Sequence, residues 1–210
     1  MRSKELVKEY NGRLVLNIPS LEFDNGKIYA VMGANGSGKS TLAGMLESGD
    51  AFLFDKPEKI VYIPQKPFAF RMNVNKNALL AGGEEKKVSE LLKVLGLEEL
   101  KYNNAKKLSG GELAKLSLTR VLSVHCDLLI LDEPTAAMDV ESTLTSENLI
   151  KEYAEKENAA VILITHSKGQ AERISDELIV LNRGNICDHG PTATILNNPT
   201  DPETKRFLAL

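Results

Sequence analysis

Residues 27–41 read KIYAVMGANGSGKST. An apolar run with the look of a buried strand ends at Met32, and the pattern G-x-x-x-x-G-K-S follows at once from Gly33 to Ser40, opening a helix. That context gives the pattern its meaning. Gly33, Gly36 and Gly38 let backbone N–H groups wrap a phosphate without Cβ clashes, and Ala34, Asn35, Ser37 and Thr41 complete the loop. Lys39 can then reach the β- and γ-phosphates of a nucleotide, and the Ser40 hydroxyl can ligate Mg²⁺. A dinucleotide fingerprint is excluded, because Thr41 stands where the third Gly of G-x-G-x-x-G would fall.

Outward from this loop, apolar runs recur at RLVLNIPSLEF (13–23), KIVYIPQ (59–65), DLLILDE (127–133), AAVILITH (159–166) and ELIVLNRG (177–184). Several are continuous and rich in Val, Ile and Leu, and helical stretches separate them, which predicts a parallel sheet covered on both faces. The clearest helices follow GSGKS, run from Ser109 to about Val124, and run from Glu141 to about Lys156. Between Gln65 and Ser109 the strand signal disappears. Val88, Leu91, Leu92 and Leu95 fall there at i, i+3, i+4 and i+7, one face of a helix that stops at Gly96. We therefore expect one α/β domain over 1–210, with a core from 1–64 and 120–210 and a helical subdomain inserted at 65–119.

Two carboxylates end the run LLILDEP, and buried carboxylates are rare unless paired or metal-bound. Asp132 is the expected partner of Mg²⁺. Glu133, aimed the other way by the strand's period of two, is the candidate base that orients or deprotonates an attacking water. His166 closes another apolar strand, and the carboxyl end of a strand in an open α/β sheet is where ligands bind. Residues 108–112, LSGGE, present a second helix N-terminus built to face an anion, within the helical insert. One nucleotide does not obviously need two such cradles.

The bulk composition narrows the classes. With 26 Lys and Arg against 29 Asp and Glu, the net charge is −3, and no basic stripe interleaved with aromatics argues for nucleic acid. Cys126 and Cys187 lack metal-ligand spacing and suggest no disulfide framework, which fits a reducing cytosol. The opening MRSKELVKEY has no signal-peptide core, and no stretch approaches the roughly 18 apolar residues of a membrane span.

Taken together, these residues resemble the nucleotide-binding subunit of ABC transporters. The order agrees from end to end: the loop at 33–41, Gln65, LSGGE at 108–112, Asp132 with Glu133, AAMD ending at Asp139, and His166. The resemblance implies a P-loop NTPase core with a mostly parallel sheet, a small antiparallel N-terminal β part and the helical insert. It implies Mg²⁺-dependent hydrolysis of ATP at the interface of two copies packed head to tail. Ser109, Gly110, Gly111 and Glu112 of each copy would complete the site on the other, and Asp139 would adjoin it. In that reading Gln65 joins core to insert and senses the metal or the lytic water, and Tyr10 stands where relatives stack an aromatic on adenine, although as an isolated residue it is also an ordinary strand Tyr.

The implied partners are a second copy, a transmembrane permease and, indirectly, a solute-binding protein, with the chain peripheral on the cytoplasmic face of the cell membrane. Ala114 and Lys115 replace the Gln-Arg of many relatives, and the short segment SGDAFLFDKPEK suggests a trimmed antiparallel edge. No regulatory extension is expected after NNPTDPETKRFLAL. Details in residues 8–33, 67–82 and 197–208 look most like the ATPase subunits of tungstate or related oxyanion importers. The alternatives are another cargo, or a soluble ABC ATPase acting in translation or DNA maintenance.

Overall fold

The strand runs are too uniformly apolar to leave one face in water, and the computed structural model, which describes residues 1–54 and 56–209, buries them from both sides. In chain order the strands are β1 (Arg2–Ser3), β2 (Leu6–Tyr10), β3 (Arg13–Ile18), β4 (Ile28–Met32), β5 (Phe52–Phe54), β6 (Ile60–Ile63), β7 (Leu128–Asp132), β8 (Ala160–Ile164), β9 (Glu177–Asn182) and β10 (Asn185–Pro191). The helices are α1 (Lys39–Glu47), α2 (Val74–Ala78), α3 (Glu85–Val94), α4 (Gly110–Leu122), α5 (Val140–Glu157), α6 (Lys168–Ile174), α7 (Thr192–Asn197) and α8 (Pro202–Leu208).

The main sheet has the order β10-β9-β4-β8-β7-β6, parallel throughout except for β10, which pairs antiparallel with β9 at the edge. Every residue of β4, β7 and β8 is buried. Alternate side chains enter opposite layers: Leu128 and Ile130 pack with Leu42 and Leu46 of α1, whereas Leu129 and Leu131 pack with Leu118 and Leu122 of α4 and Ile150 of α5. The antiparallel β part comprises two small sheets, β2 with β3 and β1 with β5. The second spans only the pairs Arg2↔Phe54 and Ser3↔Phe52. Asp55, inside the segment read as a trimmed edge, lies outside the described residues.

Register decides where the loops emerge. Asp132 pairs with Ile164, Val31 with the same Ile164, and Ile63 with Leu131, so β4, β6, β7 and β8 end level with one another. Their carboxyl ends therefore deliver the glycine loop, Gln65, Glu133 and His166 to one edge.

A separate apolar cluster forms from Ala69, Val74, Ala78, Val88, Leu92, Leu97, Ala105 and Leu116. Helix α3 straddles two layers, since Val88 and Leu92 enter this cluster while Leu91 joins the main core together with Leu95, just past the helix end. Gly96 then takes φ +70°, the left-handed turn that stops the helix.

Candidate functional site

The glycine loop leaves β4 and enters α1 through residues whose backbone forbids ordinary side chains. Gly33 has φ +148°, and a Cβ there would stand 2.2 Å from the Leu181 carbonyl oxygen. At Gly36, with φ +76°, a Cβ would meet nothing, so the backbone conformation and the open space in front of it account for that glycine. Ser37 is buried, and its Oγ has no hydrogen-bond partner among the described residues.

Lys39 is only 7% exposed, an unusual placement for an ammonium. Its Nζ donates to the Gly33 carbonyl at 2.9 Å and the Ala34 carbonyl at 3.1 Å, which folds the side chain back beneath the loop. Burial lowers its pKa, while the charges of Glu133 and Asp132 oppose that shift. The next residue, Ser40, donates from Oγ to Asp132 Oδ2 at 3.2 Å. Tyr62 donates its hydroxyl to the same oxygen at 3.4 Å, and its own pKa is pushed up to about 12, first by burial and then by the Asp132 charge. Asp132 is 3% exposed, and burial raises its pKa against the hydrogen bond from Ser40.

Glu133 does not point away from Asp132, as the period of two had suggested. The strand ends at Asp132, and Glu133 turns into the left-handed region at φ +50°, its amide donating to Ile164 O at 2.9 Å. Such a φ is uncommon for a residue with a side chain and is found preferentially where function demands it. Here it returns the carboxylate to the same cleft, where Oε1 lies 3.0 Å from His166 Nε2. That cleft, of about 420 Å³, is lined by Val15, Asn35, Gly36, Gly38, Lys39, Ser40, Thr41, Gln65, Asp132, Glu133 and His166.

Other residues singled out from the sequence do not line this cleft. Gly33 and Ala34 act on it through the carbonyls that hold Lys39. Tyr10 closes β2, is 53% exposed, and has Lys8 Nζ 5.4 Å from its ring centre. Ser109 is the N-cap of α4: its Oγ accepts from the Glu112 amide at 3.3 Å, and the Glu112 carboxylate accepts from the Ser109 amide at 2.7 Å. Glu112 is thus engaged by its own helix, and the bonds from Ser109 lower its pKa. A Cβ on Gly111 would come 2.8 Å from Ala137 O, so the first turn of α4 lies against the chain just before Asp139. Asp139 in turn caps α5, accepting from the Ser142 amide at 2.8 Å and from its hydroxyl at 2.9 Å. Two residues escaped the sequence reading. Val15 belongs to no motif, and Tyr62 reaches Asp132 only because β6 lies beside β7.

The donor set suits a nucleotide polyphosphate with a hard cation. The buried Lys39 ammonium and the open, positive-φ backbone at Gly36 border the cleft, and the Ser40 and Asp132 oxygens are the hard ligands that Mg²⁺ prefers. Among the described residues no group of three His, Cys, Asp or Glu could hold a metal, and Ser40 with Asp132 are the residues that would hold Mg²⁺ beside a bound nucleotide.

A family model described as ABC transporter matches residues 16–136. The chain belongs to the ABC transporter family. This ABC protein is 35% identical over 200 residues to a tungstate uptake system ATP-binding protein of Peptoclostridium acidaminophilum, covering 86% of the chain and 94% of that relative. It is 32% identical over 206 residues to a zinc import ATP-binding protein of Vibrio parahaemolyticus, covering 94% and 78% respectively. Its fold matches a solved ATP-binding subunit of an ABC transporter with a TM-score of 0.83 at 23% identity, over 100% of this chain and 99% of the other. A bacterial Atm1-family ABC exporter with ATP bound gives the same TM-score, 0.83, at 21% identity, over 99% of this chain and 41% of the other. The ABC family binds ATP with Mg²⁺, and this member of it is an ATPase. No helix among its described residues is long and apolar enough to cross a membrane.

Proposed function

We propose that this ABC ATPase is the energy-supplying subunit of an importer for tungstate or a related oxyanion, working at the cytoplasmic face of the cell membrane beside a transmembrane permease. Two copies pack head to tail around two MgATP. The observation that carries the hydrolytic part is the Glu133–His166 pair, facing Lys39, Ser40 and Asp132 across one cleft.

In this reading Lys39 supplies a point charge to the β- and γ-phosphates, and the low polarity that depresses its pKa strengthens that attraction. Ser40 and Asp132 would hold Mg²⁺, which would supply charge neutralisation to the same phosphates. Gln65, exposed at the cleft rim after β6, meets the cation or the lytic water. Glu133 takes the proton of the water attacking the γ-phosphorus, as the bond to the bridging oxygen breaks. His166, whose Nε2 lies 3.0 Å from Glu133 Oε1, steadies that carboxylate and meets the γ-phosphate.

Residues 65–119 act as a helical subdomain that carries the start of α4 to the partner's nucleotide. Ser109, Gly110 and Gly111 offer amides there, with Glu112 keeping the cap closed and Asp139 keeping the adjoining turn in place. Tyr10 stacks on adenine. The cargo rests on the similarity to the tungstate uptake protein, which spans 94% of that relative, whereas the relatives named for phosphate or methionine import share 28–31% identity. Reconstituting the chain with its permease and binding protein tests this reading. ATPase stimulation by tungstate or molybdate is expected, and stimulation by an amino acid but by no oxyanion overturns the cargo.

A further inference from the structure

Glu147, on α5, is a carboxylate only 2% exposed, and none of the steps above uses it. Arg173 grips it with two bonds, Nε to Oε2 and Nη2 to Oε1, both 2.7 Å. The Gln170 side-chain amide donates to the same Oε1 at 3.2 Å and, with its second hydrogen, to Thr135 Oγ1 at 2.9 Å. Gln170 and Thr135 are buried as well. Both donors of the amide are used, and each carboxylate oxygen has at least one partner.

Sequence positions show what this joint connects. Thr135 lies two residues beyond Glu133, in a turn closed by Ala136 N to Glu133 O and Met138 N to Thr135 O. Gln170 lies four residues beyond His166, in α6, whose N-cap Ser167 accepts from the Gln170 amide. Ser167 N donates to Thr165 Oγ1 at 3.0 Å, tying the His166 loop to the end of β8. Each of the two functional loops is therefore stiff by itself, and the Gln170 side chain bridges them. Stability is a weak reason for such a network, since the Arg173 end of the ion pair is 45% exposed and apolar packing often replaces a buried carboxylate and its partner at no cost.

We infer that Gln170, backed by Glu147 and Arg173, is a positioning residue for ATP hydrolysis: through Thr135 it sets the separation of Glu133 and His166. The inference rests on the assignment of Glu133 as base and of His166 as its holder. A reacting group displaced by 1 Å typically costs about 10²-fold in rate, so loss of the bridge should act on turnover rather than on nucleotide binding.

Steady-state ATPase kinetics of Thr135→Val, Thr135→Ser, Gln170→Leu and the reference variant Glu133→Gln test it, with melting curves and calorimetric ATP binding for each. Thr135→Val and Gln170→Leu should lower kcat at least about tenfold while KM and ATP affinity stay within about twofold. Thr135→Ser, which keeps the acceptor hydroxyl, should restore kcat. Should Gln170→Leu fail to fold, Thr135→Val and Thr135→Ser decide. Unchanged kcat in Thr135→Val alongside an inactive Glu133→Gln overturns the positioning role and leaves the site reading intact. Equal loss in Thr135→Val and Thr135→Ser assigns the effect to packing and also overturns it. Near-normal turnover by Glu133→Gln removes the base, and the positioning role with it.

Discussion

Glu133 Oε1 and His166 Nε2 lie 3.0 Å apart at the ends of neighbouring strands β7 and β8, and Glu133 reaches that position only by adopting φ +50°. Neither feature belongs to an ordinary strand end. Together they place a carboxylate beside an imidazole and facing the cleft, an arrangement that suits a general base.

Glu133→Gln keeps the shape and removes the proposed base, so phosphate release should fall by about 10²- to 10⁴-fold with ATP still bound. His166→Ala should also bind ATP and turn over slowly. Lys39→Ala should instead lose most of its ATP affinity, because it deletes the charge that faces the phosphates. Calorimetric titration beside a phosphate-release assay separates the three. Equal loss of binding in His166→Ala and Lys39→Ala would mean that the roles are wrongly divided.

The two loop glycines should respond to alanine differently. At Gly33 the new Cβ would stand 2.2 Å from the Leu181 carbonyl, a backbone contact that cannot rotate away, so Gly33→Ala should fold poorly and bind no ATP. At Gly36 nothing obstructs the methyl, and only the strained φ of +76° remains, with a cost of about 1 kcal/mol. Gly36→Ala should therefore fold with a melting temperature lower by about 2–4 °C. Similar melting curves for both variants would contradict the contact with Leu181.

Asp132 carries a stability penalty that follows from its raised pKa. A carboxyl whose folded pKa exceeds the unfolded value of about 3.9 binds its proton more tightly when folded, so the nucleotide-free fold loses stability as pH rises between those two values. At neutral pH the whole penalty is present. Asp132→Asn should then melt higher than the parent without nucleotide, and the difference should close on acidification below about pH 4. The same variant should lose the stabilisation that MgATP gives the parent. A lower nucleotide-free melting temperature for Asp132→Asn at pH 7 would refute the burial account.

Ser109 has two separable roles. As the cap of α4, its replacement by Ala should cost about 1 kcal/mol. Its proposed role across the dimer is tested by pairing chains in the Glu133→Gln background, which is expected to trap ATP. One pair has Lys39→Ala on one chain and Ser109→Arg on the other. If sites are shared, both defects fall in one site and the second stays whole. The other pair has both defects on one chain and none on its partner, so each site is damaged once. Greater ATP retention by the pair with both defects on one chain would show that Ser109 serves its own chain's nucleotide.

Much of the site is legible in the sequence alone. Gly33–Thr41 announces itself because a phosphate cradle is built from consecutive residues, and Asp132, Glu133 and His166 stand out because charged groups close apolar strands. The helix starting after Ser109 is legible because a Ser, two Gly and helical apolar spacing follow one another along the chain, whereas the reciprocal Ser109–Glu112 cap is seen only in the structure. Glu133 was misdirected, since a period of two holds only while the strand continues and the strand stops at Asp132. β10, which pairs antiparallel at the edge, escaped notice because NICDHGP carries no clean alternation of apolar residues.

By itself, then, the sequence determined the phosphate loop, the apolar runs that form the strands and the chemical character of the residues at their ends, because each of these is written in neighbours along the chain. Only the tertiary structure decided which of those ends meet. Strand order sets Tyr62 beside Asp132, level register brings Glu133 to His166, and helix docking seats Gln170 between Thr135 and Glu147. Those contacts join residues tens of positions apart, and local periodicity fixes which face of an element is buried but not which neighbour it is buried against.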